Sequence, residues 1–163
     1  MRTSLVMGLA LCLATGSGAA AKPRVETISY ETGPCFGTCP VYKVTVSSDG
    51  RGVFEGQRFT AVTGTRAFRV SPAQWRAFRR QLQALHGRGT VEMTGPPVCE
   101  QMATDMPTVE VRWSGAFRPF TLRANYGCRN ERLQWKFAHL RRAPGTLPIA
   151  ALVTPKVPLP PGR

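Results

Sequence analysis

The sequence predicts an α+β domain in which an antiparallel sheet carries two helices on one face. The chain first shows several short stretches in which apolar and polar residues alternate, and then a segment with apolar residues every three or four positions. The same succession of strands and a helix then occurs a second time. Segregated runs of this kind are typical of antiparallel sheets with helices on one side. The predicted order is β-β-β-α-β-β-α.

The first strands are predicted before residue 71. Val25–Tyr30 is a short extended stretch, and Val41–Ser47 alternates between apolar and polar residues. The turn at Ser48–Gly50 leads into Gly52–Glu55, so these two segments should form a hairpin. Two further extended candidates precede the first helix: Gln57–Thr63 and Arg66–Val70.

The first helix is predicted over Ser71–Leu85. Ser71 is a favourable N-cap, Pro72 suits the first helical position, and Gln74 completes a capping box. The glycines that follow at positions 87 and 89 end the helix. One apolar stripe runs along it, formed by Trp75, Phe78, Leu82 and Leu85.

The second half begins with a long irregular connection over residues 90–107. Thr108–Trp113 then alternates as a strand, and Phe117–Arg123 should return antiparallel to it. Pro119 indicates that this returning strand lies at an edge, because proline cannot donate to a ladder. A second helix is predicted over Asn130–Arg142, with three residues facing inward: Leu133, Phe137 and Leu140.

Three regions are predicted along the chain. Residues 1–21 have the pattern of a signal peptide, with an apolar run at Leu5–Ala14 and small residues at 19–21 for cleavage. That run is too short to span a bilayer as a stable helix, so no transmembrane segment is expected in the mature chain. Residues 22–143 form one α+β domain. Residues 144–163 are rich in proline and are predicted to be an extended, unpacked tail.

The signal peptide predicts a periplasmic or secreted protein, and the cysteines agree with that location. Thiols tend to oxidise outside the cytoplasm, so Cys35, Cys39, Cys99 and Cys128 are interpreted as two disulfides. Three pairings exist for four cysteines, and short separation favours 35–39, which leaves 99–128. Cys12 would leave with the signal peptide, and its lipidation is the alternative.

Cys35 and Cys39 also allow a thiol redox or copper-handling interpretation. The segment Cys-Phe-Gly-Thr-Cys-Pro resembles the metal-binding loop of exported copper-delivery proteins of thioredoxin fold. Those proteins use a distant histidine ligand, for which only His86 and His139 are available. Soft sulfur ligands near Cys99 are three methionines: Met93, Met102 and Met106.

Charge is the main indication of a partner. The formal net charge is +13, and it becomes +12 when Arg2 leaves with the signal peptide. A basic domain is drawn to anionic surfaces, so an anionic envelope component or a protein partner is expected, and nucleic acid is not, because of export. The polar side of the first helix offers Arg76, Arg79 and Arg80, and the 90–107 connection is a second candidate contact.

Catalytic motifs are not found in the sequence. The nine carboxylates are scattered, no serine lies in a nucleophile elbow, and no glycine-rich phosphate loop precedes a helix. The sequence therefore predicts a non-enzymatic binding or structural domain without catalytic residues, cofactor or metal site.

A family resemblance spans residues 25–142. Its most specific part is the pattern Cys-x-Gly-x-Cys-Pro-x-Tyr, and the chain resembles an uncharacterised family of exported bacterial domains that carries this pattern. The resemblance implies a shared fold and supports disulfides, but it implies no activity or catalytic residue. The matching segments are Gly33–Tyr42, Asp49–Gly50, Phe54–Gly56, Thr104–Thr108 and Tyr126–Cys128.

Overall fold

The structure is a computed structural model, and it describes residues 24–115 and 118–154. It confirms the α+β class, with a large, mostly antiparallel sheet and a few short helices. The predicted signal peptide and Cys12 lie outside the described residues.

The strands and helices have the following bounds. The strands are β1 Thr27–Thr32, β2 Val41–Ser47, β3 Arg51–Arg58, β4 Gly64–Arg69, β5 Gly89–Met93, β6 Gln101–Met102, β7 Thr108–Ser114, β8 Phe120–Asn125 and β9 Cys128–Arg129. The helices are α1 Pro72–Gln83, α2 Gln134–Arg142 and α3 Ala150–Val153, with 3₁₀ turns at Glu131–Leu133 and Pro144–Thr146.

Seven strands form the main sheet in the order β4-β3-β2-β1-β7-β8-β5. Neighbouring strands are antiparallel except β5, which pairs with β8 in parallel. The two short strands β6 and β9 form a separate antiparallel pair. The first strand therefore lies at the centre of the sheet, between the β2–β3–β4 meander and the β7–β8 hairpin.

Three local predictions are wrong. The 90–107 connection is not irregular throughout, because β5 occupies its beginning and β6 its later part. Pro119 does not mark an edge, since β8 lies between β7 and β5 and starts one residue later, at Phe120. The separate strand expected over Gln57–Thr63 is not formed, because β3 continues to Arg58 and Phe59 follows with a positive φ of 56°.

One face of the sheet is buried beneath the helices. Alternate residues in adjacent strands stand in register across this face, so Ile28 lies between Val46 and Trp113. The next row along the strands consists of Phe54, Val44, Tyr30, Val111 and Leu122. The helices complete the core with Trp75, Phe78, Leu82, Phe137 and Leu140, as their apolar spacing predicts.

The capping of α1 shows why this helix is predictable. The Ser71 hydroxyl accepts a hydrogen bond from the Gln74 backbone N–H, and the Gln74 side chain accepts one from the Ser71 N–H. This reciprocal pair satisfies two backbone donors that the first turn otherwise leaves unpaired.

The segment after residue 143 packs against the domain, so the prediction of an unpacked tail is wrong for residues 144–154. Leu147 and Ile149 are buried in the core. The backbone N–H groups of Ala61 and Val62 donate to the carbonyls of Val153 and Leu152, at 3.3 and 3.1 Å. The proline-rich composition gave no indication of these contacts, because Leu147 and Ile149 do not form a periodic apolar pattern. Residues 155–163 lie outside the described residues.

Candidate functional site

The cysteines form two disulfides in the pairing preferred from the sequence. Cys35 is bonded to Cys39 and Cys99 to Cys128, with Cα atoms 5.8 and 5.1 Å apart. Both Cα separations lie in the ordinary range for disulfides.

Both disulfides lie at one end of the sheet, called here the disulfide end. The Cys35–Cys39 loop joins β1 to β2, and the Phe36 N–H donates to the carbonyl of Asp105 at 3.1 Å. The segment that precedes β7 is also held, because the Ala103 N–H donates to the carbonyl of Gly127 at 3.0 Å. Irregular backbone at this end is therefore fixed by covalent and hydrogen bonds. The tip of the first loop presents Phe36, which is 92% exposed.

The histidines do not complete a copper site with Cys35 and Cys39. The His86 ring lies 5.0 Å from that of Trp113, near the end of β7, whereas the Cys35–Cys39 loop adjoins the beginning of β7. Five residues of strand separate Thr108 from Trp113, which corresponds to about 17 Å. His139 is engaged with α1, since its Nδ1 lies 2.8 Å from Oε1 of Gln81.

The methionines predicted as possible sulfur ligands differ in their exposure to solvent. Met93 is 1% exposed within the core, and Met106 is exposed. Within residues 24–115 and 118–154, no group of three or more His, Cys, Asp or Glu side chains is placed to hold a metal ion.

The three arginines predicted as a binding patch lie in two different environments. Arg76 and Arg80 are exposed on the outer side of α1. Arg79 turns toward the sheet, where its Nε donates to both oxygens of Glu26 at 2.9 and 3.2 Å. The predicted patch is therefore reduced to Arg76 and Arg80, and Arg79 has a structural contact instead.

Glu26 is the centre of a buried polar contact between α1 and the sheet. It is 8% exposed, and its Oε1 also accepts a hydrogen bond from the Trp113 indole N–H at 2.5 Å. The guanidinium of Arg79 lies 5.7 Å from the centroid of the Trp113 ring. A buried carboxylate needs a cation and hydrogen-bond donors, and Arg79 and Trp113 supply them.

The second helix lies beside α1 and presents aromatic and basic side chains on one of its sides. Trp135, His139 and Arg142 stand at positions i, i+4 and i+7 and share one side of α2. Trp135 is 48% exposed, and its ring meets that of His139 at 5.9 Å. The His139–Gln81 contact joins this side of α2 to α1. The helix face is defined here as Arg76, Arg80, Trp135, His139 and Arg142.

The helix face lacks carboxylates in its own sequence segments. No aspartate or glutamate occurs in residues 56–91 or 132–163. Among the described residues, Arg76, Arg80 and Arg142 form no ion pair. Two of these arginines were predicted from the polar side of α1. Trp135 and Arg142 were not predicted as site residues, although their spacing along α2 was the available signal.

The opposite side of the sheet, called here the open face, carries paired charges. Glu110 of β7 pairs with Arg112 and with Arg123, whose Nε lies 2.6 Å from Glu110 Oε2. Arg123 also reaches Glu92 at 3.1 Å. Burial opposes ionisation of Glu110, but the hydrogen bonds from the two arginines outweigh it and hold the pKa of this carboxyl below its usual value.

Comparison with known proteins gives the family of the chain. A family model described as a domain of unknown function, DUF6438, matches residues 26–144. The chain belongs to this family. The DUF6438 match includes both disulfides, Glu26 and the whole helix face, and it ends where the C-terminal segment begins. No curated protein matches the chain.

The helices of this DUF6438 protein are short. In the part of the chain that the structure describes, no helix has the length and apolar character needed to cross a bilayer.

Proposed function

We propose that the protein is an exported, non-enzymatic envelope domain that binds anionic lipid surfaces through its helix face. The observation that carries the proposal is the combination of three arginines, which form no ion pair among the described residues, with the exposed ring of Trp135 on the same helix layer. Like charges at i and i+4, as for Arg76 and Arg80, repel each other by a few tenths of a kcal/mol. An external anion would remove that repulsion.

Export is supported by the signal-peptide pattern of residues 1–21 and by the two disulfides. Disulfides persist in oxidising compartments and are rare where thioredoxin and glutathione keep thiols reduced. A periplasmic or secreted location brings the domain beside membranes and leaves nucleic acid outside its reach.

The exposed ring of Trp135 favours a lipid surface over an anionic polymer as the binding partner. Tryptophan places an apolar ring and a polar N–H at membrane–water boundaries, and basic residues beside it contact anionic headgroups. Here the Nζ of Lys136 lies 5.6 Å from the Trp135 ring centroid, so cation and aromatic surface occur together. Each Lys or Arg near an anionic membrane contributes about 1 kcal/mol.

The test is binding of the exported protein to vesicles containing phosphatidylglycerol, with phosphatidylcholine vesicles for comparison. The double variant Arg76→Gln and Arg80→Gln should bind the anionic vesicles roughly 30-fold more weakly, as expected for about 2 kcal/mol. Binding of the unaltered protein should weaken as salt rises.

A matched control is available on the open face, where Arg51 and Arg69 stand in register on β3 and β4. Arg51 pairs with Asp49 at 2.7 Å, whereas Arg69 forms no ion pair among the described residues, so the control includes an unpaired arginine outside the helix face. The double variant Arg51→Gln and Arg69→Gln makes the same change in net charge and should retain affinity within about threefold, as expected for contacts outside the bound surface. Equal losses in both double variants would contradict a specific face. Binding to heparin without binding to anionic vesicles would refute the lipid assignment.

A further inference from the structure

A small cavity lies between the sheet and the C-terminal segment. Its volume is about 180 Å³. Leu147, Ile149 and Val153 provide most of its apolar side chains, and Tyr42 of β2 also lines it. The cavity is open to solvent on one side, so a small molecule can enter without unfolding the segment.

Tyr42 is held rigidly in the lining of this cavity. Its ring packs at 5.5 Å against that of Phe54 and at 6.5 Å against that of Tyr30, both in stacked arrangements. The residue is only 6% exposed. The direction of its hydroxyl group is therefore fixed by packing in the core.

The Tyr42 hydroxyl differs from those of the other two tyrosines. Tyr30 and Tyr126 are hydrogen-bonded to each other at 2.9 Å, and Tyr30 also donates to the carbonyl of Leu140. Among the described residues, no side chain or backbone group hydrogen-bonds to the Tyr42 hydroxyl. Burial, with a smaller contribution from Tyr126, raises the pKa of Tyr42, so its proton remains available for donation.

We propose that this cavity binds an uncharged molecule the size of a substituted benzene ring, which accepts a hydrogen bond from the Tyr42 hydroxyl. Aliphatic cavities of about 150 Å³ take up benzene, so this volume admits a ring with one small substituent. The apolar lining excludes a charged ligand because desolvation of a charge would be uncompensated. The site is separate from the helix face and does not depend on lipid binding.

The experiment compares two probes of similar shape, 4-fluorophenol and fluorobenzene, by ¹⁹F NMR titration of the full protein. The unaltered protein should prefer 4-fluorophenol by roughly three- to tenfold, as expected for one hydrogen bond. Tyr42→Phe preserves the stacked ring and should abolish the preference for 4-fluorophenol, because the hydroxyl of that probe then has no partner in the cavity. Ala150→Leu and Val153→Phe fill the cavity and should each weaken both probes by more than about tenfold.

The adjacent residue Ala151 provides the matched control, because it does not line the cavity. Ala151→Leu should leave both affinities unchanged. The proposal is overturned if neither probe binds the unaltered protein, if Tyr42→Phe retains the preference for 4-fluorophenol, or if Ala151→Leu and Ala150→Leu weaken binding equally.

Discussion

The open face and the helix face differ in their ion pairs: Glu110 and Glu92 on the open face pair with arginines, whereas Arg76, Arg80 and Arg142 on the helix face form no ion pair within the described residues. Glu110 is held by Arg112 and Arg123 on the open face. Arg76 and Arg80 on the helix face share no such partner among the described residues.

Arg79 shows that the position of an arginine on α1, rather than its residue type, decides whether it forms an ion pair within the protein or faces solvent. It lies one residue before Arg80, yet it turns inward and pairs with the buried Glu26. Paired surface charges contribute modestly to stability and leave little net field. Unpaired cations of one sign create a field that attracts an external anion. The comparison therefore separates the residues that hold the fold from those available for binding.

The largest effect on binding should come from reversing the charge of the helix face. Arg76→Glu with Arg80→Glu replaces two attractive charges with two repulsive ones, so affinity for anionic vesicles should fall by more than about 100-fold. The free energy of unfolding should change by less than about 0.5 kcal/mol, because both side chains are exposed. Vesicle sedimentation and urea denaturation measure the two quantities. A large loss of stability with unchanged affinity would reverse the assigned roles.

The disulfides should stabilise both faces without taking part in binding. Replacing Cys99 and Cys128 by alanine opens the longer loop and should cost about 3.5 kcal/mol, whereas the Cys35/Cys39 double variant should cost about 2 kcal/mol. Urea denaturation of the folded variants measures both costs.

The same pair of bonds tests the redox interpretation. A structural Cys35–Cys39 bond should remain oxidised in a glutathione buffer. Its reduction there, or tight Cu(I) binding by the reduced protein, would favour thiol redox or copper handling instead.

Loss of the Glu26–Arg79 contact should reduce stability and leave binding unchanged. Arg79→Gln leaves a mostly buried carboxylate without its cation, so the free energy of unfolding should fall by about 2 kcal/mol. Affinity for anionic vesicles should stay within about threefold, because Arg79 does not face outward. The adjacent Arg80→Gln should show the opposite pattern. Similar profiles for the two variants would contradict the distinction.

The smallest expected effect is the pH-dependent contribution of Glu110, on the open face, to the free energy of unfolding. The pKa of Glu110 is depressed in the folded state, so its contribution to stability is present above the unfolded pKa, about 4.3, and is lost as pH falls through the folded value. Glu110→Gln should cost less than about 1 kcal/mol at pH 7. The difference between the two proteins should shrink below pH 4 in thermal denaturation. A difference that grows on acidification would contradict the ion-pair assignment.

Local signals in the sequence predicted much of the fold. The bounds of β2 follow from strict alternation, and the start of α1 follows from the Ser71–Gln74 capping box, because each signal depends on neighbouring residues. The strand β5 was missed since it is fixed by parallel pairing with β8, about thirty residues further on. Likewise, Leu147 and Ile149 carry no periodic pattern, and only the tertiary structure shows that they are buried.

The candidate site was less predictable for a related reason. Periodicity placed Arg76, Arg79 and Arg80 on the polar side of α1. It could not show that Arg79 pairs with the buried carboxylate of Glu26, which lies far away in the sequence. Nor could it show that α2 lies beside α1 through the contact between Gln81 and His139.

Tryptophan fluorescence on anionic vesicles with brominated acyl chains tests most directly whether the helix face meets the membrane. Trp75 and Trp113 are 8% and 2% exposed, whereas Trp135 is 48% exposed on the helix face. Vesicle binding should therefore quench the emission of the unaltered protein, and Trp135→Phe should remove most of that quenching while the variant remains bound. Equal quenching in the two proteins, or no quenching of bound protein, would contradict the account.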